Sequence, residues 1–115
     1  MGRGRGRIAQ PLSVTRRVII RPAAEQDITD AVDWYAGRAP EQIGRFLDEL
    51  AAAVTRSAES PRLFRTVHRE VRRAALRVFP YFVWFVLDDD ADLVRVIAVT
   101  HYRRDPAVVR SRLEG

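Results

Sequence analysis

Acid–base work on a phosphodiester at neutral pH needs a side chain that exchanges a proton there and cations that hold the charge developing on phosphate. The 115-residue chain supplies few such groups: two histidines, His68 and His101, no cysteine, and 20 basic side chains that are all arginine. Without cysteine there can be no disulfides, thiolate nucleophiles, thiolate zinc sites or iron–sulfur clusters, and the chain suits a reducing compartment, the cytoplasm. The histidines lie far apart without ligand-spaced neighbours, so neither a metal nor a cofactor is expected. Asp88-Asp89-Asp90-Ala91-Asp92 lacks the spaced donors and turn glycine of a calcium loop and reads as a turn. What remains is His101 followed by Tyr102, Arg103 and Arg104, with Arg72, Arg73 and Arg77 upstream. His101 could carry a proton, Tyr102 could polarise or stack on a base, and Arg73 or Arg77 could hold phosphate. The competing structural assignments are a strand-end His101 bonded to backbone or to Asp105, a loop position for His68, and helix packing for Trp34 and Tyr35.

Charge is unevenly laid out. Residues 1–17 contain five arginines and no acid, whereas residues 18–115 balance at 15 of each sign. Within the balanced part, residues 18–60 hold four arginines against eight acids, and residues 61–87 hold six arginines against Glu70 alone. An acidic half and a basic half suggest that the basic one meets an anionic partner. The opening MGRGRGRIAQPLSVTRR alternates glycine with arginine and has little to pack, so residues 1–17 are expected to be a disordered tail and residues 18–115 a single domain. No apolar run is long enough to span a membrane, and no apolar signal-peptide region follows the first arginines.

These side chains must be positioned by elements that the periodicity reveals. Val18-Ile19-Ile20 is a short β-branched run, and Arg21-Pro22 predicts a helix start. Ile28, Ala31, Val32 and Tyr35 follow helical spacing over residues 23–36, and Gly37 is the expected stop. Pro40 restarts a helix with the stripe Ile43, Phe46, Leu47, Leu50 and Val54, ending before Pro61, so the two helices form an antiparallel hairpin. Residues 71–79 then alternate with period two, placing Ala74, Leu76 and Val78 on one face and Arg73, Ala75 and Arg77 on the other. Tyr81 to Leu87 is apolar throughout and predicts a central strand. Leu93 to Thr100 makes a third strand, completing an antiparallel meander, and residues 105–113 offer a last short helix. The order is β-α-α-β-β-β, an α+β domain with a helical hairpin packed on an antiparallel sheet.

In the central strand Tyr81, Val83, Phe85 and Leu87 alternate with Phe82, Trp84 and Val86, so both sheet faces are apolar while the hairpin covers one. The second face calls for a partner segment or for residues 105–113 folding back. Phe82 and Trp84, together with Arg72, Arg73, Arg103 and Arg104, are the candidate partner-binding residues.

Pro22-Ala23, Asp27-Ile28, Trp34-Tyr35, Arg45-Phe46, Glu49-Leu50, Ser60-Pro61, Arg72-Arg73, Phe79-Pro80-Tyr81 and His101-Tyr102-Arg103-Arg104-Asp105-Pro106, in that order, resemble the RelE/ParE superfamily of type II toxin–antitoxin toxins over residues 18–112. The resemblance implies a growth-inhibiting toxin wrapped and neutralised by a cognate antitoxin in a hetero-oligomer. It also divides the target: RelE-like members cleave mRNA in the ribosome, and ParE-like members inhibit DNA gyrase without a recognised hydrolytic site. In the nuclease-like members a basic residue stands shortly before the central strand. Here Val78-Phe79-Pro80 occupies that place with Arg77 one position early, and one position in a strand reverses the face. The Phe79-Pro80-Tyr81 and Arg103-Arg104-Asp105-Pro106 wording is similar to the ParE side. Gyrase inhibition is therefore the expectation, with ribosome-dependent mRNA cleavage through His101, Tyr102, Arg73 and Arg77 as the alternative and a non-toxic nucleic-acid-binding or orphan interaction domain third.

Overall fold

The computed structural model describes residues 16–114, so most of the arginine-glycine tail lies outside the described residues. Strand β1 (Arg17–Ile20) leads into α1 (Pro22–Arg38), where Pro22 occupies the first helical turn and Glu25 sits near the positive end of the helix dipole. The helix runs through Gly37 and stops at Arg38, because Pro40 bars Ala39 from helical backbone; Ala39 takes φ −152° and its N–H still reaches the Tyr35 carbonyl. A single 3-10 turn (Pro40–Gln42) joins α2 (Ile43–Glu59), and a second (Pro61–Leu63) follows it. The sheet strands are β2 (Thr66–His68), β3 (Val71–Ala75), β4 (Tyr81–Asp88) and β5 (Leu93–His101), and α3 (Ala107–Glu114) closes the chain.

The sheet order is β1-β5-β4-β3-β2, with β4 in the middle. β3, β4 and β5 form the antiparallel meander, β2 adds antiparallel to β3, and β1 pairs parallel with β5, Arg17 opposite Leu93. β3 is shorter than the alternation of residues 71–79 predicts. Its ladder ends at Ala75 opposite Phe82, and Leu76 N–H bonds the Tyr81 carbonyl. The chain then turns so that Phe79 is buried while Val78 stands 60% exposed. That loop is tied to α2, since Glu49 accepts the Val78 N–H at 2.9 Å and Arg56 donates to the Ala75 carbonyl at 3.2 Å.

The first core lies between the helical hairpin and the sheet. Tyr35, Phe46, Phe79 and Tyr81 form a knot of rings with centroids 5.2–6.5 Å apart, beside Leu50, Val83, Phe85, Val96 and Val99. Each tilted or edge-on pair contributes about 0.5–1.5 kcal/mol beyond its buried area. The second face is covered from within the chain. Val109 and Leu113 of α3 pack on Val71, Trp84, Ile97, Ala98, Phe82 and Val86. A β-bulge makes this possible: the β4–β5 register shifts after Trp84 opposite Ala98 to Phe85 opposite Val96, so the extra residue Ile97 joins Ala98 on the α3 side.

The Arg21 N–H makes the last backbone bond to this edge, to the Val96 carbonyl at 2.9 Å, and beyond it side chains satisfy the outer edge of β5. Asp27 of α1 accepts the Val99 N–H at 2.9 Å, and Arg112 of α3 donates to the Ile97 carbonyl at 3.1 Å. The two side chains also clasp each other through a bidentate pair at 2.6 and 3.0 Å, which pins α3 to α1 around the sheet edge. The hydrogen bonds to Asp27 raise the Arg112 guanidinium above the ordinary arginine value.

Candidate functional site

The residues with possible chemistry converge on one end of the domain, where α1 ends, the β3–β4 loop turns and the chain leaves β5 for α3. The Tyr102 N–H bonds the Pro80 carbonyl at 2.9 Å, which joins the two loops, and the Arg104 N–H bonds the His101 carbonyl within the turn after β5. Strand alternation, however, divides the candidates between two faces. His101 pairs with Tyr81 on the hairpin side, its ring 5.3 Å from the Tyr81 ring and nearly perpendicular to it. Its Nδ1 accepts the Arg103 N–H at 3.1 Å, so that nitrogen is committed to the turn. Burial first, and then Tyr35, pushes the Tyr81 phenol above its ordinary value and keeps it protonated beside His101.

Arg73 is on the other side. It stands opposite Trp84 in the ladder, with its guanidinium carbon 4.0 Å from the Phe82 ring centroid and 5.3 Å from that of Trp84. Tyr102 stacks on Phe82 at 4.3 Å and remains 47% exposed. Tyr102, Phe82 and Arg73 therefore form one strip on the α3 face, away from His101. Arg77 is exposed in the β3–β4 loop. The four residues suggested for cleavage are not gathered around one reacting phosphate.

The suggested partner-binding residues separate in the same way. Arg72 faces the hairpin side opposite Phe85 and donates to the Phe64 carbonyl, so its guanidinium is engaged in holding β3 against the segment before β2. Trp84 is 5% exposed and its Nε1–H bonds Thr100 Oγ1 at 2.8 Å beneath α3. Phe82 is half-buried under Tyr102 and Arg73. Arg103 and Arg104 are exposed, and neither makes an ion pair with another described residue. His68 ends β2, and Asp88 to Asp92 make the β4–β5 turn, with Asp92 at φ 52°. Among the described residues no group of three or more carboxylates and histidines is placed to hold a metal ion.

Sequence reasoning passed over Trp34 and Arg38 as a surface. Tyr35 is the packing residue, 8% exposed, while its neighbour Trp34 is 49% exposed and carries the Arg38 guanidinium 4.6 Å above its ring. The signal was present as an i, i+4 aromatic–arginine pair on a helix. Trp34, Asp30, Tyr81, His101 and Arg104 line a hollow of about 170 Å³ between α1 and the end of β5.

An α-hairpin on a mixed sheet with its loops gathered at one end fits many activities, and similarity narrows them. The family model described as ParE toxin of the type II toxin-antitoxin system parDE matches residues 18–106. The chain belongs to the ParE toxin family. It is 32% identical over 103 residues to the toxin ParE2 of Mycobacterium tuberculosis H37Rv, covering 89% of this chain and 96% of that protein. Among solved structures, this ParE-family chain superposes on a chain of the chromosomal ParDE system from P. aeruginosa with TM-score 0.65 at 13% identity, over 76% of this chain and 96% of that one. The RelBE2 toxin–antitoxin complex from M. tuberculosis gives 0.53 at 21% identity, over 76% and 99%, and the isolated E. coli RelE toxin gives 0.52 at 14%, over 86% and 97%. At these identities the structures establish a shared RelE/ParE fold.

Proposed function

We propose that this ParE-family toxin arrests growth by binding DNA gyrase rather than by cutting RNA, and that a cognate antitoxin neutralises it in a toxin–antitoxin complex. The observation carrying this reading is the separation of His101 from Arg73 by the thickness of the sheet. Cleavage through a 2′-hydroxyl needs its proton carrier and its phosphate cation within hydrogen-bond reach of one phosphodiester. Here the imidazole Nδ1 accepts a turn N–H on one face and the guanidinium lies over two rings on the other. Blocking a protein target requires no proton transfer, and the exposed arginines at the loop end suit contact. The match to the ParE family supports the same choice.

The test is expression of the chain in bacteria with parallel readouts of DNA damage and of transcript ends. Gyrase inhibition predicts an SOS response before any loss of message. Transcripts cut at ribosomal A-site codons with DNA intact would overturn the proposal in favour of ribosome-dependent cleavage.

A further inference from the structure

Seven large apolar side chains are exposed among the described residues, and three of them, Trp34, Val78 and Tyr102, lie at the single end where α1, the β3–β4 loop and the β5–α3 turn meet. Four exposed arginines surround them: Arg38, Arg77, Arg103 and Arg104, none in an ion pair with another described residue. Of the acids nearby, Asp27 is clasped by Arg112, Glu49 pairs with Arg45 and accepts the Val78 N–H at 2.9 Å, Asp30 accepts from Gln26 at 2.9 Å, Asp105 accepts the Ala107 N–H at 2.9 Å, and Asp33 is exposed beside Trp34. The four arginines without an acidic partner therefore outnumber Asp30, Asp33 and Asp105, the acids without an arginine partner. Tryptophan, tyrosine and arginine at the centre of a surface are the residue types that dominate protein–protein binding energy.

The side chains are also held in place before any partner arrives. Trp34 packs edge-on against the buried Tyr35 at 5.1 Å, with Arg38 over its ring, and Tyr102 is stacked on Phe82. Fixing these groups in advance removes much of the ordering cost that association otherwise carries. Resting on the gyrase reading above, we propose that this end is the target-contacting surface, with Trp34 and Tyr102 as its anchors and Arg38, Arg103 and Arg104 as its cationic frame, and that its occupant is an acidic protein surface. Arginine forks match carboxylates in a bidentate manner, as they also match phosphates, so the rings decide between the two. A nucleic-acid strand fits less well, since Arg38 already covers one face of Trp34, Phe82 covers one face of Tyr102, and Asp30 lines the hollow beside Trp34 and Arg104.

The experiment measures binding of the full chain to purified gyrase holoenzyme, and separately to a single-stranded RNA oligonucleotide, for Trp34→Ala, Tyr102→Ala, Arg103→Glu with Arg104→Glu, and Leu63→Ala. Leu63, 83% exposed at the opposite end beside the Arg62–Asp89 pair, is the control. Each anchor variant is expected to bind gyrase on the order of 10- to 30-fold more weakly, the double charge reversal more weakly still, and Leu63→Ala as the parent does. Thermal melts identify any variant that unfolds, and the charge reversal, confined to solvent-exposed side chains, then decides. A parent that binds gyrase while the anchor and charge variants bind it equally well overturns this surface and leaves the gyrase reading standing. A parent that does not bind gyrase, or whose RNA binding alone is lost in these variants, overturns both.

Discussion

The clasp between Asp27 and Arg112 is the most exacting test of how the two sides of the sheet are joined. Asp27 is 7% and Arg112 20% exposed, and the carboxylate accepts two guanidinium bonds plus the Val99 N–H. Asp27→Ala orphans that buried N–H, a cost of about 1–3 kcal/mol, and leaves Arg112 without a counter-ion. Because Arg112 lies in the last turn of α3 and can swing into solvent, the charge penalty falls below the ~3–5 kcal/mol of a fully buried partner, and we expect ~3 kcal/mol in total. Arg112→Ala leaves the less exposed Asp27 holding only Val99, again at a cost of ~3 kcal/mol. Removing both abolishes the stranded charge in either direction, so the double variant should lose about 3–4 kcal/mol rather than the sum, a coupling of ~2–3 kcal/mol. Urea unfolding supplies these free energies, and each kcal/mol corresponds to ~4–8 °C in melting temperature for a domain of this size. Iodide quenching of tryptophan gives a second readout, since Trp84 lies beneath α3 and should become more accessible when the clasp is cut. Single variants that each lose less than about 1 kcal/mol, or a double variant equal to their sum, would refute the clasp. The guanidinium pKa is raised, so Arg112's contribution is complete below the ordinary arginine value and is lost only at higher pH; the coupling should not change across neutrality.

His101→Ala should lower toxicity only mildly if the protein binds its target, through the lost hold on the Arg103 N–H, whereas loss of a proton carrier in a nuclease would lower the cleavage rate ~10²–10⁴-fold; growth curves of folded variants decide. The Asp88 carboxyl is held below its ordinary value, first by the hydrogen bond from Arg95 and then by the Ala91 N–H. Its stabilisation is present above the ordinary carboxylate range and disappears as pH falls through the lowered value, so Asp88→Asn should flatten the acid limb of a stability–pH curve and leave no difference from the parent at the acid extreme. A chain starting at Arg16 should melt as the full chain does, whereas one starting at Val18 should melt lower by the equivalent of about 1 kcal/mol, because Arg16 donates to the Ala58 carbonyl at 3.2 Å and pairs with Asp92 at 3.1 Å; calorimetry of both compares them.

The helical hairpin and the meander could be read from the chain because each carries its own period: Ile28, Ala31 and Tyr35 recur with the helix, and Tyr81 to Leu87 are apolar on both sides of a strand. Val67, alone between Thr66 and His68, has no period, and β2 exists only because β3 offers it an edge. The parallel partnership of β1 with β5 is a tertiary choice with no local signature. Gly37 pointed to the right turn but the wrong residue, since the constraint comes from Pro40 acting on Ala39. For the site, the types were legible and their arrangement was not. His101 and Arg73 are separated by ladder registers set through Tyr81, Phe82 and Trp84, and Asp27 finds Arg112 only when the whole sheet lies between their helices.

Chain order has a consequence for when this protein can act. β1 is made first, yet its strand partner among the described residues is β5, the last strand made, and the carboxylate of Asp27 waits equally for Val99 and Arg112. At ~5–20 residues per second of translation, the N-terminal elements spend seconds without the strand that completes them. Contacts this distant in sequence also form late in folding itself. Trp34 emerges long before Tyr102, so the surface they share cannot exist on a nascent chain. Through this topology alone, a partly made chain cannot engage the target proposed above.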